Sequence, residues 1–148
     1  MDEEMKPFGV TLIEDQKIPS EEQIFKRIKE LTVEKINAIC KEKINKGFQC
    51  SVLGSMHAYD LFLEDQANLQ ALVFANIDSV FRCAEVINGA IGNKTYKKHT
   101  KAQILQLAKE ALKFKQDLIV FYGREKERLQ AVTSLKALEK FEIKEYLT

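Results

Sequence analysis

The feature of this sequence that most constrains its fold is a long, regular stretch of helical apolar spacing near the C-terminus. The stretch opens at Thr100-Lys101-Ala102-Gln103, a capping box in which the threonine and glutamine side chains satisfy free backbone groups at a helix start. Apolar residues then recur at helical spacing to about Val132. The pattern predicts a helix of about 32 residues, roughly 48 Å long.

The apolar arc of this predicted helix is wide. It comprises Ile104, Leu105, Ala108, Ala111, Leu112, Phe114, Leu118, Ile119, Phe121, Tyr122, Leu129 and Val132. A rod of this length exceeds what a compact domain can cover, so its far end is expected to pack against another chain. We therefore predict a homo-oligomer with Leu105, Leu112, Ile119 and Phe121 at the interface.

Composition narrows the class of protein. The 148 residues include 23 Lys plus Arg against 22 Asp plus Glu, a balance that lacks the broad basic field of a nucleic-acid-binding protein. The three cysteines fit reduced thiols better than a disulfide framework. No apolar run approaches the roughly 20 residues that span a bilayer. We expect a soluble intracellular protein with no nucleic-acid partner and no membrane segment.

The chain divides into an N-terminal arm, residues 1–20, and a single domain, residues 21–148. The arm holds at most one strand, at Phe8–Ile13. A second capping box at Ser20–Gln23 starts a helix at about residue 21. Two β-branched residues, Thr32-Val33, interrupt its apolar stripe, so a break in the helix at this point is the alternative to a continuous helix. Gly47 is expected to end it in a left-handed conformation.

Two β-hairpins are predicted between the long helices. The first runs from Phe48 to Tyr59 around Leu53-Gly54-Ser55, with Cys50, Val52, Met56 and Ala58 as its inner face. The second has strands 80–86 and 94–98, with its turn at Asn88-Gly89 or at Gly92-Asn93. Asp60 is predicted to cap a helix that runs to about Asn76 between the hairpins, and Thr133 or Ser134 to cap a final short helix. The fold class is α+β: two small antiparallel β-hairpins packed on helices, with a long C-terminal α-helix.

Two groups of side chains invite a chemical interpretation. A metal or thiol site assembled from Cys50, His57, Cys83 and His99 is conceivable, but no C-x-x-C or H-x-x-x-H pair announces zinc. Buried thiols and hydrogen-bonded histidines are the favoured alternative. The polar set Asp65, Gln66 and Asn68 would suit a sugar or a cation, and its favoured role is to satisfy free backbone groups.

Four lysines, Lys94, Lys97, Lys98 and Lys101, cluster around the second hairpin. The favoured interpretation is an edge strand protected by lysines from unwanted pairing, and phosphate binding is the alternative. Nucleotide, metalloprotease and hydrolase signatures are missing from the sequence. We predict no catalytic residue, no cofactor and no metal.

The order and spacing of several short motifs are more specific than any one of them. The first half contains Ile44–Phe48, Leu53-Gly54, His57, Tyr59-Asp60, Asp65-Gln66 and Asn68-Leu69. The second half contains Phe81-Arg82-Cys83, His99-Thr100 with Gln103, Ala131–Leu135 and Leu138-Glu139. Over about residues 33–143 this order resembles a domain of bacteriophages and prophages that occurs in tail-associated and tail-fibre-associated proteins.

The resemblance implies where the protein works and does not imply a reaction, because the family has no known catalytic activity. It implies a non-enzymatic structural or accessory tail protein whose partners are itself and other tail proteins, working in the bacterial cytoplasm during assembly or in the virion tail. A transient tail-fibre assembly chaperone is the alternative, and a small metal-dependent or thiol enzyme is the third hypothesis. Residues 1–20, Thr32 and the longer turn at Ile87–Asn93 depart from the pattern.

Overall fold

A computed structural model describes residues 18–147 and has the expected mixed α+β fold. Its helices are α1 (Glu21–Asn45), α2 (Leu63–Ala75), α3 (Lys101–Gln130) and α4 (Leu135–Glu139), and its strands are β1 (Phe48–Cys50), β2 (His57–Tyr59), β3 (Ser79–Ile87) and β4 (Ala90–His99). Most of the predicted N-terminal arm, including the Phe8–Ile13 stretch, lies outside the described residues.

Helix α1 begins at the predicted capping box. The Ser20 hydroxyl accepts a hydrogen bond from the Gln23 backbone N–H at 3.1 Å, and the Ser20 N–H donates to the Gln23 side chain at 2.9 Å. The helix is unbroken at Thr32, because the Thr32 hydroxyl donates to the Ile28 carbonyl at 2.7 Å and is satisfied within the helix. It ends before Gly47, which takes the predicted left-handed conformation with φ +79°.

The two predicted hairpins form one antiparallel sheet in the order β1-β2-β3-β4. They join because β2 pairs with β3, with Ala58 opposite Ala84. The tip of the second hairpin is Asn88-Gly89, where φ values of +52° and +80° are those of a type I′ turn. Strand β4 lies at an edge of the sheet, as its polar sequence predicts.

The predicted inner face of the first hairpin is right for Cys50 and Val52 and wrong for the second strand. Cys50 lies opposite His57, and Phe48 lies opposite Tyr59, so these four side chains share one face. Ala58 belongs to the other face, and Met56 lies in the exposed loop that precedes β2. Because side chains alternate along a strand, a loop that differs by one residue from the expected length exchanges the two faces.

Asp60 does not cap α2, contrary to the prediction. The helix starts two residues later than predicted, at Leu63, because Leu61 is buried in the core and holds the preceding segment extended. The Asp60 carboxylate contacts the Lys94 ammonium on β4. Asp65 supplies the missing cap instead, since its carboxylate accepts a hydrogen bond from the Phe62 N–H at 3.0 Å.

The far half of the long helix packs against α1 of the same chain, and the expected contact with another chain stays a prediction. Helix α3 has 30 residues, and α1 runs antiparallel to its second half. The Lys29 ammonium donates to the Gln130 carbonyl at 3.1 Å, and the Lys126 ammonium donates to Asn37 at 2.9 Å. The core side of α3 is fully covered through Ile104, Leu107, Ala111, Leu118, Tyr122 and Leu129.

Substitution of Gly47 tests the close approach between the end of α1 and the sheet. A Cβ atom at Gly47 would lie 2.0 Å from the Tyr59 carbonyl oxygen, whereas one at Gly89, which has a similar φ, would meet nothing within 4 Å. We expect Gly89→Ala to lower the free energy of unfolding by about 1 kcal/mol, and Gly47→Ala by about 3 kcal/mol or more. Urea denaturation followed by circular dichroism measures both, and equal losses would contradict this packing.

Candidate functional site

Three exposed apolar residues form a stripe along α3. Leu105, Leu112 and Ile119 are 45%, 64% and 41% exposed, and each is seven residues from the next. Seven residues are nearly two helical turns, so the three side chains lie on one side of the helix over about 21 Å. We call these three residues the α3 stripe.

The remainder of α3 fixes the orientation of the stripe. The helix starts at the predicted capping box, where the Thr100 hydroxyl accepts from the Gln103 N–H at 3.1 Å and the Thr100 N–H donates to the Gln103 side chain at 2.8 Å. Its core side packs against the sheet through Ile104 and Leu107 and against α1 through residues nearer Leu129. The stripe is therefore a preformed surface, narrower than the apolar arc that the sequence suggested.

Phe121, the fourth predicted interface residue, does not lie in the stripe. Its ring is half-buried and packs edge-on against Tyr122 and Tyr146, with centroid distances of 5.0 and 5.2 Å. The C-terminal segment that carries Tyr146 folds back along α3 and covers this side of the helix. Helical spacing alone places Phe121 on an apolar surface and gives no signal that the chain end returns to cover it.

An apolar groove beside the stripe is absent from the sequence-based prediction. It has a volume of about 320 Å³, lies between α2 and α3, and is lined by Leu61, Leu69, Val73, Ala108, Ala111 and Leu112, with Gln66, Gln70 and Lys115 as polar members. The Lys115 ammonium contacts the Gln66 side chain across the groove. The sequence does contain one indication of this groove. The apolar residues of α2 lie on all sides of the helix and include the exposed Leu63 and Phe74.

The sheet places the predicted cysteines and histidines on its inner face, where each histidine ring is held by other groups. Tyr59 lies between them: its hydroxyl is 2.8 Å from Nε2 of His99, and His99 Nδ1 lies 2.8 Å from the Lys97 carbonyl. The carbonyl must accept, so Nδ1 carries the proton and Nε2 accepts from Tyr59. His57 is held separately, with its Nδ1 2.8 Å from the Ser55 carbonyl.

These groups are buried in the core. Cys50, Cys83 and His99 are at most 4% exposed. Burial raises the pKa of Cys50 to about 11 and also raises the pKa of Cys83, so both thiols stay protonated at neutral pH. Within residues 18–147, no group of three histidine, cysteine or acidic residues is placed to hold a metal ion. This cluster is part of the core.

The other motif residues mainly join one element to the next. Gln66 donates to the Leu61 carbonyl at 2.9 Å, so it satisfies backbone at the start of α2, as Asp65 does. Gly54 provides the positive φ of the first hairpin loop, and Phe48 stacks on Phe114 at a centroid distance of 5.4 Å. Asn68 points to solvent. None of these contacts requires a sugar or a cation.

The lysine cluster divides between the two faces of the sheet. Lys94 and Lys98 lie opposite Ala84 and Val80 on the outer face. Lys97 lies on the inner face beyond the helices, where its ammonium is 3.2 Å from the Glu85 carboxylate. Lys101 is the first residue of α3, so the four lysines do not form one continuous patch.

A buried carboxylate holds the C-terminal segment. Glu125 accepts from Arg128 Nη2 at 2.7 Å and from the Lys144 backbone N–H at 2.7 Å, and Arg128 also contacts the Glu142 carbonyl. The hydrogen bond from Arg128 is the main reason that the pKa of Glu125 lies below its ordinary value. In the sequence, Glu125 stands among lysines, arginines and glutamates and looks like part of a solvated face.

Comparisons with known proteins gave no match: no family model, no curated protein and no solved structure is similar to the chain. The resemblance to the phage tail-associated domain therefore stays a prediction from the ordered residues of the sequence. Among residues 18–147, each helix is too short or too polar to cross a membrane.

Burial of His99 predicts a pH-dependent stability. Burial lowers the pKa of His99 below its ordinary value of 6.5. Below pH 6.5, His99 is protonated in the unfolded chain but stays neutral in the folded chain. The free energy of unfolding is therefore expected to fall as the pH drops from 7 to 5.5. Urea denaturation across this range measures the slope. A His99 ring that titrates at or above pH 6.5 in NMR spectra of the folded protein would contradict this prediction.

Loss of the Glu125 carboxylate is expected to release the C-terminal segment. Glu125→Gln removes the charge that Arg128 pairs with, and hydrogen bonds to charged groups contribute about 1.5–3 kcal/mol. We expect trypsin to cleave after Lys140 and Lys144 faster in this variant than in the native chain. Glu127→Gln, an exposed neighbour, is the control and should leave the cleavage rate unchanged. Equal cleavage in the two variants would rule out this role for Glu125.

Proposed function

We propose that the chain is a non-enzymatic structural or accessory protein of a bacteriophage or prophage tail that acts through protein–protein contacts, first with copies of itself. The observation that carries the proposal is the α3 stripe, in which Leu105, Leu112 and Ile119 are exposed on a rigid helix. The ordered motifs that resemble the tail-associated domain supply the context, which is the bacterial cytoplasm during assembly or the virion tail.

The spacing of the stripe favours contact with another helix. A repeat of seven residues keeps one side of a helix against a partner over several turns, as in coiled coils. A second copy of this chain presents the same repeat, so two or more α3 helices can pair along it. In a single copy this apolar row would remain exposed to water. Exposed apolar area of this kind normally marks an interface.

The energy available from the stripe limits the affinity of this contact. Full burial of a Leu or Ile side chain contributes about 1.5–3 kcal/mol, and these three are already about half covered. Two copies therefore contribute only a few kcal/mol, while association costs about 4 kcal/mol or more. A stable assembly requires further contact, which the groove between α2 and α3 provides because Leu112 belongs to both surfaces.

The buried chemistry of the core argues against the enzyme hypothesis. The thiols of Cys50 and Cys83 are protonated, and the His99 ring is occupied on both nitrogens. A nucleophile needs an accessible, activated group, and neither thiol meets this requirement.

A transient tail-fibre assembly chaperone is the second candidate, and the groove between α2 and α3 favours it. An apolar groove beside exposed apolar residues suits the temporary binding of an aggregation-prone segment. The two candidates differ in the finished particle: a chaperone co-purifies with a tail protein during assembly and is missing from the virion, whereas a structural component stays in it.

Self-association through the stripe is tested by Leu112→Glu. Leu112 is 64% exposed, so the substitution should spare the fold while placing a charge in the contact. We expect the native chain to self-associate at tens of micromolar in multi-angle light scattering and Leu112→Glu to be monomeric.

The matched control is Leu31→Glu, because Leu31 is 49% exposed on α1, outside the stripe. This variant should associate as the native chain does. A native chain that stays monomeric at high micromolar concentration, or an equal loss of association in both variants, would overturn the proposal.

A further inference from the structure

Within residues 18–147, the outer face of the sheet leaves Arg82, Tyr96 and Lys98 exposed, whereas Ala58 and Ala84 on the same face are buried. Helix α3 packs on the inner face, which carries Tyr59, Phe81 and Cys83, and α2 lies in the same layer because it packs on α3. The strand register places a different set on the outer face: Gln49, Ala58, Val80, Arg82, Ala84, Lys94, Tyr96 and Lys98. We call Val80, Arg82, Lys94, Tyr96 and Lys98 the open face.

An exposed aromatic ring stands at the centre of the open face. Tyr96 is 71% exposed and lies directly opposite Arg82 on the neighbouring strand. Lys94 and Lys98 lie two residues before and after it on the same strand, about 7 Å away on either side. The exposed Tyr96 ring therefore has a cationic side chain opposite it and one on either side along its own strand.

Within residues 18–147, the carboxylates nearest to this face are those of Asp60 and Asp78. None of its strand positions carries an acidic residue. The two neighbouring carboxylates are engaged: Asp60 contacts Lys94, and Asp78 accepts a hydrogen bond from the Lys101 backbone N–H at 2.7 Å. Within residues 18–147, Arg82 and Lys98 have no ion-pair partner. Arg82 and Lys98 are therefore two exposed cations beside Tyr96, whereas Lys94 is half-buried and paired with Asp60.

We propose that the open face binds single-stranded nucleic acid, with one base stacked on the Tyr96 ring and the adjoining phosphates on Arg82 and Lys98. Aromatic side chains on a basic surface bind unpaired bases of any sequence by stacking. A duplex hides its bases from such a ring, so single strands are preferred. Of the five residues of the open face only Tyr96 and Val80 are apolar, too little area for the buried centre of a protein interface, which disfavours an acidic polypeptide.

The near-neutral charge of the whole chain is compatible with this site. Exposed charges separated by more than about 10 Å are screened at 0.1 M salt, so a phosphate at Tyr96 responds mainly to the local cations. Two or three phosphate contacts give weak binding whose logarithm falls with the logarithm of salt concentration with a slope of about −1.4 to −2.

The test is fluorescence anisotropy of the full chain with labelled dT15 and with a labelled 15-base-pair duplex at 50 mM salt. We expect dT15 to bind more tightly than the duplex. Tyr96→Ala should weaken binding about 5- to 100-fold, while Tyr96→Phe, which keeps the ring, should bind within about twofold of the native chain. Arg82→Gln should make the salt slope about 0.7 shallower, and Arg124→Gln, an exposed arginine on α3, should leave it unchanged.

Four outcomes would overturn the proposal. They are no binding of dT15 at 50 mM salt, tighter binding of the duplex, equal effects of Arg82→Gln and Arg124→Gln, and binding of a labelled decaglutamate peptide in place of dT15. The site is independent of the α3 stripe, so Leu112→Glu should bind dT15 as the native chain does. Circular dichroism of each variant confirms that the sheet is intact.

Discussion

The arrangement of the other elements depends on the packing of α3 against two different layers. Its first half lies on the inner face of the sheet, and its second half lies against α1 and the returning C-terminal segment. A helix of 30 residues, about 45 Å long, needs both supports, because the sheet lies against only its first half. Gly47 lets α1 reach the sheet edge, and Glu125 holds the chain end in place. The stripe at Leu112 is the side that these supports leave uncovered.

Local chemistry accounts for the parts of this fold that the sequence predicts well. Both capping boxes, the left-handed Gly47 and the Asn88-Gly89 turn depend on residues within four positions of one another, and all are confirmed. The misplaced features depend on distant partners. Pairing of β2 with β3, the register of Cys50 with His57, and the pairing of Asp60 with Lys94 each join segments whose approach no local pattern specifies.

The same division applies to the candidate site. A repeat of seven residues marks Leu105, Leu112 and Ile119 as one row from spacing alone, and the structure leaves that row exposed. Phe121 also belongs to the predicted apolar arc. Only its contact with Tyr146, in the returning C-terminal segment, distinguishes it from the three exposed residues. The thiols and imidazoles do share a face, yet the Tyr59 hydroxyl occupies Nε2 of His99, and a sequence gives no warning of such a contact. The groove requires the tertiary placement of α2, so spacing within α3 could not reveal it.

The two proposed surfaces differ in place and in physics. The α3 stripe belongs to the helical layer, whereas Tyr96 and its cations lie on the other side of the sheet, so occupation of one leaves the other accessible. Apolar contact is insensitive to moderate salt and is strengthened by salts excluded from protein surfaces, whereas phosphate contact weakens steeply as salt rises. Ionic strength therefore separates the two: a chain that self-associates through Leu112 at high salt, but releases a strand held at Arg82, would use its two faces independently.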